Sequence, residues 1–292
     1  MPAIGIVQVI MPIIIIPLAG FVLGKFKKVN IKTLADYIIY LASPALVLAQ
    51  LSMQPINLRE ISLIALAVAF VILGTGAVVY LFFKTIKLQV PAGYYLPIMF
   101  MNSGFLGYPL ALFAFGADGL SKAIIYDIAN ALLLFTLGIF IVSQGKDRWQ
   151  ALKLPFIYAA LLGFILSLLG IKLPPYLYSP LYLIGGTAIP LALIMLGCRL
   201  AELKITSWKL PLLASVLRLG LGLGLGLLAV FIFRLEGLTA KIVILSSALA
   251  SAVTAAPLAE EYDSGPDLVA STIALSTILC IISVMLVLKL TI

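Results

Sequence analysis

The sequence predicts an all-α polytopic membrane protein of ten transmembrane helices, arranged as two inverted repeats of five. Three observations carry the prediction: composition, apolar blocks of helical length, and a self-similarity at about half the chain. Of 292 residues, 63% are hydrophobic and 10% charged, and the mean hydropathy is +1.23. That mix is far from a soluble domain's. Solid apolar runs of roughly 20 residues match helices crossing a bilayer, whereas barrel strands would read as short alternating segments.

The first span, residues 4–24, starts without a basic leader or a small-residue cleavage site and reads as a retained helix, not a signal peptide. Further spans are expected at 33–52, 60–83, 91–115, 120–143, 154–171, 179–199, 208–233, 238–260 and 267–290. The longest polar gap, around "SQGKDRWQALK", is too short for a soluble domain. The reading is therefore one membrane domain, 1–292, with repeat one at 1–145 and repeat two at 146–292.

Orientation follows from lysine and arginine in short loops. The loops after odd-numbered spans hold twelve: Lys25, Lys27, Lys28, Lys32, Lys84, Lys87, Lys146, Arg148, Lys153, Arg199, Lys204 and Lys209. The other side holds six: Arg59, Lys122, Lys172, Arg234, Lys241 and Lys289. The bias places the odd loops in the cytoplasm and both termini outside a plasma membrane. It also accounts for the net charge of +8 without nucleic acid, because no dense basic run interleaved with aromatics occurs.

Several chemistries are disfavoured. There is no histidine, and the two cysteines, Cys198 and Cys280, lie within apolar spans. No metal or cofactor spacing results, and both thiols are expected as reduced packing residues. Intramembrane aspartyl chemistry needs two facing acids, and only Asp127 is plainly within a span, so an enzyme is not expected.

Aligned with itself at an offset of 148, the chain sets "NSGFLGYPLA" (102–111) over "ASAVTAAPLA" (250–259). Ser103 meets Ser251, Pro109 meets Pro257, and Gly74 and Gly76 meet Gly222 and Gly224. At an offset of 146, Pro44 in "SPALVLA" falls on Pro190 in "IPLALIM". Five spans per half is odd, so the second half enters from the opposite side. Inverted repeats with interrupted helices at matching positions point to a secondary transporter with its site near the midplane.

Proline removes a donor and clashes with the preceding turn, and glycine permits non-helical backbone, so "NSGFLGYP" is expected to unwind span four. In lipid such a break persists only against protein or water. Its freed N–H groups and partial positive charge suit an anion. Asn102, Ser103, Gly104, Gly107 and Pro109 from span four, and Ser251, Val253, Thr254 and Pro257 from span nine, are the candidate binding residues. Pro44 and Pro190 are candidate contacts for the organic body of the ligand.

The stretches "MNSGFLGYPL", "AEEYDSGPDLVASTIALSTILCIISV" and "AIPLALIMLGCRL" resemble the auxin efflux carrier family, which includes the plant PIN exporters and prokaryotic organic-anion carriers. The resemblance runs over nearly all ten spans. It implies an NhaA-like or bile-acid-symporter-like fold with crossing broken helices four and nine. It further implies a scaffold of spans 1, 2, 6 and 7, a transport domain of spans 3–5 and 8–10, elevator-type alternating access, and a homodimer. Asn102 matches the family's carboxylate-binding asparagine, and Pro109 the proline ending its motif. The chain departs from the family in having Ala250 or Ala255 where a proline often stands near the start of the second break, its only proline there being Pro257. The large hydrophilic loop of the long plant exporters is missing too.

The remaining intramembrane charges have two readings each. Arg218, about eleven residues into span eight, is costly there unless paired or functional. It either bonds Asp127 or backbone carbonyls, or attracts the anion. Asp127 and Asn130, one turn apart, are candidates for proton coupling, and protons are one candidate driving ion. Glu260 and Glu261 end span nine as a solvated vestibule edge, and Glu261 is also a candidate for coupling or an ion pair. "GLGLGLGLL" in span eight reads as close packing, because no strand precedes it and no Lys-Ser/Thr follows. "GGTAIPLAL" is either packing or substrate lining. The expected function is secondary transport of a small organic anion, auxin-like or a dicarboxylate. The alternative is an anion channel or a substrate-sensing receptor on the same scaffold.

Overall fold

In the computed structural model the described residues are 6–53, 58–143, 155–202 and 208–291. Among them regular structure is helical, with a single isolated β-bridge. In chain order the helices are α1 (Ile6–Phe26), α2 (Ile31–Tyr37), α3 (Ser43–Met53), α4 (Leu58–Thr85), α5 (Tyr95–Met99), α6 (Gly107–Leu133), α7 (Ile139–Val142), α8 (Pro155–Leu168), α9 (Pro175–Gly186), α10 (Ala188–Glu202), α11 (Lys209–Ile232), α12 (Gly237–Ser247), α13 (Ala255–Glu261) and α14 (Pro266–Thr291).

Where the sequence predicts ten spans, seven helical segments among the described residues are both long and apolar enough to cross a membrane. Broken backbone explains most of the difference. Span four divides into α5 and the start of α6, and span nine into α12 and α13, so neither contains one long helix. Span six is the 14-residue α8. Spans four and five then join in one assigned segment, α6, but Gly116 within it is non-helical at φ 68, ψ −159. That conformation is essentially open only to glycine, and it separates the second half of span four from span five. The basic residues Lys146, Arg148, Lys153 and Lys204 lie outside the described residues.

The chain divides into two compact units. The first comprises Met1–Ser62, Gly104–Ile128 and Leu152–Glu202. Here α1 packs on α10, and α3 on α8 and α9. The contacts run through glycines. A Cβ on Gly20 would stand 2.2 Å from the Ile194 carbonyl oxygen, and one on Gly197 1.9 Å from that of Pro17. Gly185 of "GGTAIPLAL" lies against the Leu46 backbone, 2.6 Å from where its Cβ would be, while Gly186 faces open space. Close approach of small residues is how membrane helices gain packing when lipid offers no hydrophobic drive between them. Pro44 cannot donate an amide, and the turn before it widens to a π-helical segment, Ile38–Ala42, closed by Ser43 N–H to the Ile38 carbonyl.

The second unit comprises Leu63–Ser103, Ala129–Ala151 and Leu203–Ile292. In it α11 packs against α5, α12 and α14. Two glycines of "GLGLGLGLL" face α12: a Cβ on Gly222 would meet the Ser247 carbonyl at 2.1 Å, and one on Gly226 the Ser247 Cβ at 2.7 Å. Gly220 and Gly224 face open space. Val79, Phe83, Tyr94, Ile98 and Ala214 form a buried cluster in this unit, with Phe83 and Tyr94 stacked and the Tyr94 hydroxyl donating to the Leu210 carbonyl. In both units large apolar side chains such as Leu18, Leu183, Phe231 and Ile282 point outward, the pattern of a surface solvated by acyl chains.

Candidate functional site

Two interruptions meet in the second unit. Helix α5 ends at Met99, and α12 ends at Ser247. Residues 100–106 and 248–254 are non-helical, and the chain resumes helix at Gly107 and Ala255. The two breaks therefore coincide at the predicted offset of 148, residue for residue. The proline often found in the family at the start of the second break is not needed for it. Pro109 and Pro257 each occupy the third position of the helix that follows, α6 or α13. There the missing N–H has no intrahelical partner to lose.

Within the second unit the breaks run antiparallel. Asn102 N–H donates to the Ala250 carbonyl at 2.9 Å, and Ala252 N–H to the Phe100 carbonyl at 2.9 Å, closing the bridge between Met101 and Ser251. A two-residue ladder is short, so the other freed backbone groups need partners at membrane depth. Side chains supply them. Ser251 N–H donates to Ser276 Oγ at 3.1 Å, and Ala250 N–H to Cys280 Sγ at 3.2 Å. The Pro97 carbonyl accepts from Ser251 Oγ at 2.6 Å, and the Ala248 carbonyl from Ser283 Oγ at 2.9 Å. Asn130 Nδ2 donates to the Met101 carbonyl and to Ser103 Oγ, both at 2.9 Å.

Arg218 completes the set. It is fully buried, and its guanidinium donates to the carbonyls of Ile98 (3.1 Å), Met99 (2.8 Å) and Ser247 (2.8 Å). Of the partners considered from the sequence, backbone carbonyls are what its fork meets. Gly222, one turn further along α11, makes the space: a Cβ there would lie 2.0 Å from Arg218 Nη2.

Two amide side chains at the crossing are not fully satisfied. Asn102 is 3% exposed and, among the described residues, its Nδ2 has no hydrogen-bond partner; Asn130 Oδ1 is likewise buried and unpartnered among them. An unsatisfied buried amide costs roughly 1–3 kcal/mol, so such atoms call for a ligand or for water. Ser251, by contrast, has committed its proton to Pro97, which makes it a support of the break more than a free donor. Val253 is buried, and Thr254 precedes α13 without capping it.

The first unit holds the other candidates. Asp127 accepts from Tyr108 Oη at 2.8 Å, and a Cβ on Gly104 would stand 3.0 Å from Asp127 Oδ2. Gly104 thus admits the carboxylate as well as loosening the backbone. Asp127 and Asn130 share a helix, yet the contacts above give them different partners. Pro44 is half-buried and Pro190 exposed. Glu260 and Glu261 are exposed at the end of α13. Among the described residues no cluster of His, Cys, Asp or Glu could hold a metal ion. The thiols are free and buried, but they do more than pack: Cys198 Sγ donates to the Gly20 carbonyl at 3.2 Å, and Cys280 serves the break.

Sequence reasoning did not single out Tyr108, Ser276, Ser283 or Cys280 as partners of these groups. Tyr108 lay inside the quoted motif. The others sit in span ten, with no periodic signal linking them to span nine.

Helices for a multi-pass membrane protein, two of its predicted spans broken and paired, define a polytopic α-helical membrane protein. The profile of the family described as "Membrane transport protein" matches residues 5–151 and 140–288, and the chain belongs to that family. A relative from Methanothermobacter thermautotrophicus, named "Uncharacterized transporter", is 33% identical over 302 residues, covering 96% of each chain. Another, an uncharacterized transporter of Methanocaldococcus jannaschii, is 27% identical over 290 residues, covering 92% of this chain and 94% of the relative.

Proposed function

We propose that this membrane transport protein is a secondary transporter of a small organic anion, a carboxylate, working by elevator-type alternating access through a ten-span, five-plus-five inverted repeat. The observation that carries the reading is the Asn102 amide: buried at the crossing of two breaks, with donors that nothing among the described residues accepts. A carboxylate oxygen is the acceptor such a group lacks, and a charge-assisted bond there is stronger than a neutral one. Thr254 offers a hydroxyl from the second break. Ser103, Ser251 and Asn130 hold the backbone around them. The auxin efflux carrier resemblance assigns the same role to Asn102.

The test is uptake into proteoliposomes. Asn102→Ala abolishes carboxylate transport while the protein stays inserted and helical; retained transport removes Asn102 from the site. Counterflow of labelled substrate separates this reading from a channel, which shows no exchange acceleration. A receptor shows a ligand-induced rise in thermal stability with no flux. We propose further that the protein works as a homodimer in the plasma membrane with both termini outside, checked by light scattering of the detergent-solubilised protein and by terminal tag accessibility.

A further inference from the structure

We propose that Arg218 is the positioning residue of the crossing, and that its charge makes the crossing prefer anions. This rests on the transport reading above. The Ile98 and Met99 carbonyls end α5, and the Ser247 carbonyl ends α12, so one guanidinium closes the C-terminal ends of both broken helices. Those ends carry the negative pole of each helix. Left open, they would set negative potential beside Asn102 and repel a carboxylate. Arg218 satisfies the carbonyls and adds a full positive charge in a fully buried place, where screening is weak.

The sequence built room for it. Gly222 lies one turn along α11, and any side chain there would displace both Nη2 and the Ser247 carbonyl. The planar fork matters as well as the charge, because three acceptors from two chain segments are reached at once, which the point charge of lysine cannot reproduce. Met99 and Asn102 are three residues apart, at most about 10 Å of extended chain. A unit charge at roughly that range, with an effective dielectric near 20, alters anion affinity by about tenfold.

Two measurements test the two halves of the proposal. For charge, the best-binding carboxylate of a thermal-shift panel (benzoate, phenylacetate, succinate, malate) is compared with its primary amide on wild type, Arg218→Lys and Arg218→Gln. Arg218→Gln lowers the carboxylate-to-amide affinity ratio about tenfold, and Arg218→Lys keeps it. A ratio unchanged in Arg218→Gln, with both ligands weakened alike, overturns the charge role and leaves only a structural pin. For positioning, hydrogen exchange of residues 98–103 and 247–252 is followed in Arg218→Lys, which keeps the charge and so remains measurable should the glutamine variant not fold. Faster exchange confined to those segments supports the proposal, and unchanged exchange overturns it. The transport reading fails separately, in wild type, if no carboxylate of the panel is carried; the exchange experiment still decides the positioning role.

Discussion

Asn130 offers the sharpest test of how the broken helix is held. Its Nδ2 makes two 2.9 Å bonds, to the Met101 carbonyl and to Ser103 Oγ, from a side chain 3% exposed. Asn130→Ala removes both donors at once. Each of the two bonds contributes about 1 kcal/mol net, and the stranded Met101 carbonyl adds a penalty of roughly 1–3 kcal/mol, so the expected loss is about 3–5 kcal/mol. Ser103→Ala removes only one of the bonds and is expected to cost about 1 kcal/mol. The two side chains touch, so the double variant should cost less than the sum, by roughly 0.5–1.5 kcal/mol. Equilibrium unfolding in mixed micelles, titrated with SDS and followed by circular dichroism, measures all three. Additive losses, or a loss below about 0.5 kcal/mol for Asn130→Ala, would show that the Met101–Ser103 segment is held by something else.

Other outcomes follow from the same geometry. Gly222→Ala should be severely destabilising, since its Cβ would overlap Arg218 and the Ser247 carbonyl; Gly224→Ala, which faces open space, should be neutral or slightly stabilising through helix propensity. Thermal unfolding of the two purified variants decides it. Gly116→Ala meets no atom within 4 Å but forces an L-residue into a glycine conformation, costing about 1–3 kcal/mol, read from the same melt. Asp127→Asn keeps an acceptor for Tyr108, so the melting temperature should hold within a few degrees. If Asp127 couples transport to protons, uptake in that variant loses its response to an imposed pH gradient; an undiminished response removes Asp127 from coupling.

Legibility differed by element, for identifiable reasons. The first break was readable because glycine acts locally within "NSGFLGYP"; the second, "ASAVTAAP", holds no glycine and was readable through the offset of 148, which holds at each helix restart, Gly107 and Ala255. Helix ends near Gly116 were readable to within a few residues. The partners of the breaks were not. Arg218, Ser276, Cys280 and Ser283 sit on helices whose hydrophobicity is nearly uniform around the axis, and such a helix does not announce which face meets protein. The glycines of span eight show the same limit, since Gly222 and Gly224 look alike in sequence and differ entirely in surroundings.

The sequence by itself determined that this chain lives in a membrane, which segments are apolar, where two helices must open and that they open in register. These are properties of short stretches of chain, fixed by transfer free energy and backbone sterics. Only the tertiary structure decided that the openings pair with each other, that one arginine closes the C-terminal ends of both, and that the buried Asn102 Nδ2 meets no acceptor among the described residues. Hydrogen-bond satisfaction at membrane depth is a sum over groups far apart in sequence, and what remains unpaired is known only when the whole sum is made.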